Sequence, residues 1–207
     1  MGTNAAIPQP SFPCDLVVVL VNPQIEGNIG AVARVMRNFG ISDLRLLNFE
    51  GDFSDDVRNR AKHAQSVLDS AQTHSDWSEC FSDVSLVIGT SGKREIGDKV
   101  QFRHFLLPSE LGERVSPMEG KVAIVFGPEG MGLTHDELGL CDLLLTIPTW
   151  EGYPILNLSH TVAIVCYEWF QTLLPRIGHD RSLPKTVRTP LPVMTPWPPK
   201  MMKPSPK

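Results

Sequence analysis

The sequence lacks most of the features that would settle its class at once. No apolar run in its 207 residues reaches the ~20 residues that a membrane-spanning helix needs. The opening Met1-Gly-Thr-Asn-Ala-Ala-Ile-Pro-Gln-Pro has neither a basic region nor a long apolar one, so no signal peptide is read. Its 4 cysteines (Cys14, Cys80, Cys141 and Cys166) lie far apart and form no C-x-x-C. They are expected to be small core residues in a reducing compartment, the cytoplasm, and no metal site is read. There is no G-x-G-x-x-G, which argues against a nucleotide-binding oxidoreductase, and no Gly-Lys-Ser/Thr of a P-loop. Nor is there an excess of basic charge: the net charge of −4 does not advertise a nucleic-acid binder.

The composition, 42% hydrophobic and 20% charged, is that of an ordinary globular protein, and the length suits one α/β domain. The charge is uneven. From Pro175 onward 7 basic residues face 1 acidic, so the net −4 is the balance of a +6 tail and a −10 remainder. Such asymmetry can mark an arm for a polyanion. Three segments are therefore expected: an N-terminal arm (1–14), a domain (15–174) and a Pro-rich basic tail (175–207), the tail extended and largely disordered.

The stretch that organises the domain is Val122-Ala-Ile-Val-Phe-Gly-Pro-Glu-Gly-Met-Gly-Leu-Thr134. Five apolar residues predict a strand buried on both faces. It breaks into a glycine-rich loop, and Thr134-x-x-Glu137 then has the pattern of a helix capping box. A strand ending in such a loop is where open α/β sheets hold ligands, although a tight turn would look the same.

Other segments repeat the alternation. Asp15–Asn22, Leu44–Phe49, Val84–Gly89 and Asp142–Pro148 read as strands. A helix is predicted from about Ile29 to Phe39, with Asn28 as its N-cap and the stripe Ile29, Val32, Val35, Met36 and Phe39 facing the core. Arg34 falls opposite that stripe, as either a solvated cation or a site group. Val57 to His74 reads as one helix, and Lys93 to Phe105 as a charged stretch. Ser109–Val115 reads as a short capped helix, and Thr161 to Leu174 as one so apolar (Val162-Ala-Ile-Val-Cys166) that burial on nearly all sides is expected. Strands alternating with helices predict a parallel, doubly wound sheet. Its carboxyl edge would gather Thr90-Ser91-Gly92, Gly127-Pro128-Glu129-Gly130, Ile147-Pro148 and the first loop with Asn28 and Arg34. Four unusual loops at one edge point to one site.

These residues carry a resemblance. Asn28-x-x-Ala31-x-x-Arg34, Phe126-Gly-Pro-Glu-Gly-x-Gly132, and Ile147-Pro148 followed by Leu156-Asn-Leu-Ser159 resemble, in order and spacing, the three motifs of the SpoU (TrmH) family of SPOUT RNA ribose 2′-O-methyltransferases. The likeness covers about Asp15 to Leu174. Val19-Leu-Val-Asn22, Gly27-Asn-Ile-Gly-Ala-Val-Ala-Arg34 and Gly89-Thr-Ser91 further resemble its TrmJ branch, which acts on the tRNA anticodon loop.

The resemblance implies a SPOUT-type parallel sheet with helices on both faces and a C-terminal trefoil knot. It implies S-adenosylmethionine as cofactor, released as S-adenosylhomocysteine, held at Thr90, Ser91, Gly92, Gly127, Pro128, Gly130, Ile147, Ile155 and Leu156. It implies a homodimer packed through the knot region, and RNA as substrate: tRNA at nucleotide 32, or alternatively rRNA, or RNA bound without catalysis. Arg34 is the implied activating residue. Asn28, Glu129, Asn157 and Ser159 would orient it and the loops, with Glu129 open to a purely structural reading. Two departures stand out. Ile155 occupies a position where many members have Ser, and a short basic tail replaces the longer C-terminal extension common in the branch.

Overall fold

The computed structural model describes Phe12 and residues 14–92, 105–115 and 118–172. The remainder of the expected N-terminal arm, most of the charged stretch after Gly92 and the Pro-rich tail lie outside the described residues.

Among the described residues seven strands form one sheet: β1 (Asp15–Val21), β2 (Asp43–Leu47), β3 (Gln72–His74), β4 (Leu86–Thr90), β5 (Phe105–Leu106), β6 (Lys121–Phe126) and β7 (Leu143–Leu145). Their order is β3-β2-β1-β6-β4-β7-β5, and every pairing is parallel. The helices are α1 (Glu26–Asn38), α2 (Asp55–Ala61), α3 (Gln65–Asp69), α4 (Trp77–Cys80), α5 (Leu111–Val115), α6 (His135–Gly139) and α7 (Leu158–Gln171).

Successive side chains of a strand point to opposite faces, so a strand covered on both sides must be apolar throughout. β1 shows this directly. Leu16, Val18 and Leu20 pack into one core with α1, α2, α3, α5 and α7. Val17, Val19 and Val21 pack into the other, with Cys80 of α4 and Leu138 of α6. β6 splits in the same way, with Val122, Ile124 and Phe126 on the first face and Ala123 and Val125 on the second. The parallel, doubly covered sheet expected from the sequence is the observed one, and the four cysteines are buried.

Four expectations need correction. The helix foreseen from Val57 to His74 is broken. α2 stops at Ala61, a 3-10 turn (Lys62–Ala64) intervenes, α3 ends at Asp69, and Gln72–His74 is a strand. Lys62 has φ 54°, a left-handed conformation that ends α2. Second, α1 begins before Asn28, with Ile25 as its extended N-cap. Third, Ser109 lies in a 3-10 turn (Pro108–Glu110) whose Glu110 carboxylate accepts from the Leu107 N–H at 2.7 Å, and α5 begins only at Leu111.

Fourth, α7 is not buried all round. Leu158, Val162, Val165, Cys166 and Trp169 face the core, whereas Ala163 and Ile164 are half-buried and Tyr167 is 49% exposed. The rings of Tyr167 and Phe170 meet Phe39, at the end of α1.

Candidate active site

β4, β6 and β7 are spatial neighbours although up to 57 residues separate the starts of β4 and β7 (Leu86 and Leu143). Their ends are level: Gly89 lies opposite Val125, and Thr90 opposite Leu145. Two bonds clamp them there. The Thr90 hydroxyl donates to the Val125 carbonyl at 2.8 Å, and the Ser91 N–H donates to the Leu145 carbonyl at 3.0 Å. The three loops that leave these ends therefore converge on one spot.

Between them is a cavity of about 460 Å³, within the roughly 300–1,000 Å³ usual for small-molecule sites. Thr90, Ser91 and Gly92 form one wall, Gly127, Pro128 and Gly130 a second, and Ile147, Ile155 and Leu156 a third. All nine residues expected at the cofactor line it. The third wall is apolar, as a slot for a nucleoside requires. Ile155, at the departure from the family's Ser, is 64% exposed.

The glycine loop owes its shape to two conformational facts. Gly130 and Gly132 have φ of 80° and 70°, which glycine adopts without strain, and the Gly132 N–H closes the turn on the Pro128 carbonyl at 2.9 Å. At Gly127 a Cβ would fall on the backbone of Gly132 and Leu133, so no other residue lets the loop fold back this closely. The expected capping box then starts α6. Thr134 accepts from the Glu137 N–H at 3.2 Å and Glu137 accepts from the Thr134 N–H at 2.7 Å.

Four of the five expected catalytic residues join in one hydrogen-bonded relay. Asn28 Nδ2 donates to Glu129 Oε1 at 2.6 Å. The Gln24 N–H donates to Glu129 Oε2 at 2.9 Å. Asn157 Nδ2 donates to Asn28 Oδ1 at 3.3 Å. Asn157 Oδ1 in turn accepts from the Ser159 N–H and hydroxyl, at 2.9 and 2.7 Å, capping α7. The relay ties the β1–α1 loop, the glycine loop and the start of α7 together. Asn28 is buried, and its amide is engaged here rather than in capping α1. An amide donates and accepts at once, so two Asn side chains can pass a chain of bonds inward to one carboxylate.

Arg34 stands apart. It is exposed and bonds to none of Asn28, Glu129, Asn157 or Ser159 among the described residues. Six residues on from Asn28 it lies roughly 9 Å further along α1 and points to another side of the helix. Among the described residues the relay bonds the loops to one another and does not reach the guanidinium.

The sequence reading missed Gln24, whose contribution is a backbone N–H, and the wall residues Met131, Thr149, Glu151 and Thr161. Thr161 had a usable signal, since it lies three residues after Leu158 and so shares its helix face.

A model of the SpoU rRNA methylase family matches residues 15–167. The chain belongs to this family. The tRNA (cytidine-2′-O-)-methyltransferase TrmJ of Methanocaldococcus jannaschii is 43% identical over 151 residues, 73% of this chain and 65% of that protein. A tRNA (cytidine/uridine/adenosine-2′-O-)-methyltransferase TrmJ of Pseudomonas aeruginosa is 36% identical over 171 residues, 81% of this chain and 65% of that protein. The crystal structure of TrmJ from Z. mobilis ZM4 superposes with a TM-score of 0.69 at 30% identity, over 82% of this chain and 73% of that one. The chain thus spans less than two thirds, 65%, of the length of these relatives.

Proposed function

We propose that this protein transfers a methyl group from S-adenosylmethionine to a ribose 2′-hydroxyl of tRNA, with nucleotide 32 of the anticodon loop as the target. The observation that carries this reading is the cavity at the level ends of β4, β6 and β7, bonded through Glu129 to the Asn28–Asn157–Ser159 relay. The TrmJ relatives supply the substrate class.

The residues fit the cofactor. The apolar wall of Ile147, Ile155 and Leu156 suits an adenine, backbone groups of the glycine loop supply polar contacts, and the carboxylates of Glu129 and Glu151 on the wall suit a cation. When bound, S-adenosylmethionine supplies a methyl group on a sulfonium that departs as a neutral thioether. The chain's own task is alignment: holding the ribose oxygen in line with that methyl accounts for much of the rate. Arg34 serves as a fixed cation that lowers the pKa of the 2′-hydroxyl and grips the neighbouring phosphate. A guanidinium is too poor a base to take the proton itself.

In this reading the segment from Ile147 through α7 makes the family's trefoil knot, and two copies pack through α7. The half-covered apolar face of α7, with Tyr167 at 49% exposure, supports that packing. It brings Arg34, exposed on α1, into reach of a site near the interface. Residues 175–207, with their +6 charge, supply an arm for RNA. Among the described residues no helix is long and apolar enough to cross a membrane, and the reading locates the protein in the cytoplasm.

The test is methyl transfer from labelled S-adenosylmethionine to bulk tRNA and, separately, to rRNA, followed by nucleoside analysis. A labelled 2′-O-methylnucleoside from tRNA is the expected result. Label in rRNA alone would favour the alternative that the family's description suggests. RNA binding without transfer would leave a knotted binder, and no cofactor binding would overturn the reading. For the dimer, Tyr167→Glu is expected to sediment as a monomer.

A further inference from the structure

Two aromatic rings beside the cavity are exposed. Trp150 is 78% exposed and Tyr153 79% exposed, both in the loop from β7 to α7. Among the described residues neither ring packs on another ring, whereas Trp77 and Trp169 each do. The loop is held in place. The Tyr153 N–H donates to the Trp150 carbonyl at 3.0 Å, closing a four-residue turn. The Thr149 hydroxyl donates to the Pro154 carbonyl at 3.0 Å across its base. The indole of Trp150 lies over Gly152, where a Cβ would meet it. The residues interleaved with the rings, Thr149, Glu151 and Pro154, line the cavity itself. One short loop thus shows its small and acidic side chains to the cavity and its rings to the outside, at the rim.

We propose that Trp150 and Tyr153 are a stacking platform for an unpaired base of the RNA at or next to the acceptor ribose. The proposal rests on the RNA methyltransferase reading above. Sequence-tolerant capture of single-stranded RNA relies on aromatic faces. A rigid loop that presents two of them loses little conformational freedom when a base arrives. The loop carries no Lys or Arg from Thr149 to Ile155 and one Glu, so it is not built to grip phosphate. A base face is uncharged and is not repelled by Glu151. That chemistry favours a base over the phosphate backbone as occupant, and it gives the platform a signature: its contribution does not depend on salt, unlike phosphate contacts.

The test compares wild type with Trp150→Ala/Tyr153→Ala and with Trp150→Phe/Tyr153→Phe, using an anticodon stem-loop RNA and S-adenosylmethionine. Removal of a stacking ring costs about 1–3 kcal/mol per base, so the alanine pair is expected to raise the RNA Kd and KM by roughly ten-fold or more. The phenylalanine pair is expected to stay close to wild type, because it keeps the rings. Cofactor affinity should be the same in all three proteins, which also reports that they fold, and the slope of log Kd against log salt should not change. An alanine pair with wild-type RNA affinity would overturn the platform while leaving the methyltransferase reading intact. So would a phenylalanine pair as impaired as the alanine pair, which would point to polar contacts. A change of oligomeric state on alanine substitution would assign the rings to a protein interface and overturn the proposal. If the wild type itself neither bound nor methylated RNA, the functional reading would fail first and the platform with it.

Discussion

The two ends of the sheet solve opposite problems. At the amino end, Arg45 of β2 is 2% exposed and bonds to Asp43 at 3.2 Å and Asp83 at 2.7 Å, and to the Cys80 carbonyl. Lys121 of β6 meets the same two carboxylates at 3.0 and 2.8 Å. Two cations and two anions therefore lock the start of β2, the start of β6 and the turn before β4. The bonds from Arg45, then Lys121, hold the Asp83 carboxyl well below the usual carboxylate range. Burial alone would pull the Arg45 guanidinium down, but its bonds to Asp83 and Asp43 outweigh this and raise it. At the carboxyl end the relay contains one carboxylate and no cation, and its other members are amides, a hydroxyl and backbone N–H groups. The charged end fixes the strands. The amide end fixes the loops, and among the described residues no Lys or Arg that would repel a sulfonium lines the cavity.

Substitutions can break this contrast. The largest effect is expected at the one catalytic candidate outside both networks. Arg34→Ala should lower kcat at least 100-fold, in line with the ~3 kcal/mol lost with a transition-state charge partner, while cofactor affinity by calorimetry stays unchanged. Unaltered turnover would remove Arg34 from the chemistry. Next is the amino end. Arg45→Met leaves two carboxylates without their buried partner and should cost about 2–3 kcal/mol in urea unfolding. That is less than a fully buried pair, because Asp83 is half exposed and screened. Its effect on KM for the cofactor should be small, since the site is at the other edge.

A smaller effect is expected within the relay. Glu129→Gln keeps the shape but removes one of two acceptors, so either Asn28 or the Gln24 N–H loses its partner, worth about 1–2 kcal/mol. It should lower stability by that amount and kcat/KM roughly ten-fold, whereas Arg45→Met should move stability alone. The smallest is a pH effect. Asp83 has a lowered folded-state pKa, so its contribution is complete above its unfolded pKa of about 3.9 and is lost as pH falls through the folded value. Acid unfolding below about pH 4 should therefore be shallower in Asp83→Asn than in wild type.

Much of this architecture is legible in the sequence. β1 and β6 announce themselves by unbroken apolar runs, because a strand covered on both faces needs them. The glycine loop and the Thr134–Glu137 box are local motifs, and local motifs can be read. Strand β3 has three residues and β5 two, too few to show alternation. The break at Lys62 depends on one left-handed residue. Asn28 was expected to cap α1 because Asn often does. Its true partners, Glu129 and Asn157, are 101 and 129 residues away, and only the fold brings them close. α7 reads as apolar throughout, but Tyr167 on it is 49% exposed. Arg45 gives no signal inside a strand pattern, because the anions that neutralise it, Asp43 and Asp83, are recognisable only once the strands are paired.

The pairing of β1 with β6 has a consequence for how the molecule is made. Asp15 meets Lys121 across a separation of 106 residues, so the central ladder closes only after most of the domain has been synthesised. Contacts of such long range slow folding. The loops around the cavity hang on β4, β6 and β7 together, so they take their final places only once those strands have paired. A ligand for that cavity meets a surface absent from early folding states, so its binding should slow unfolding and leave the folding rate almost untouched.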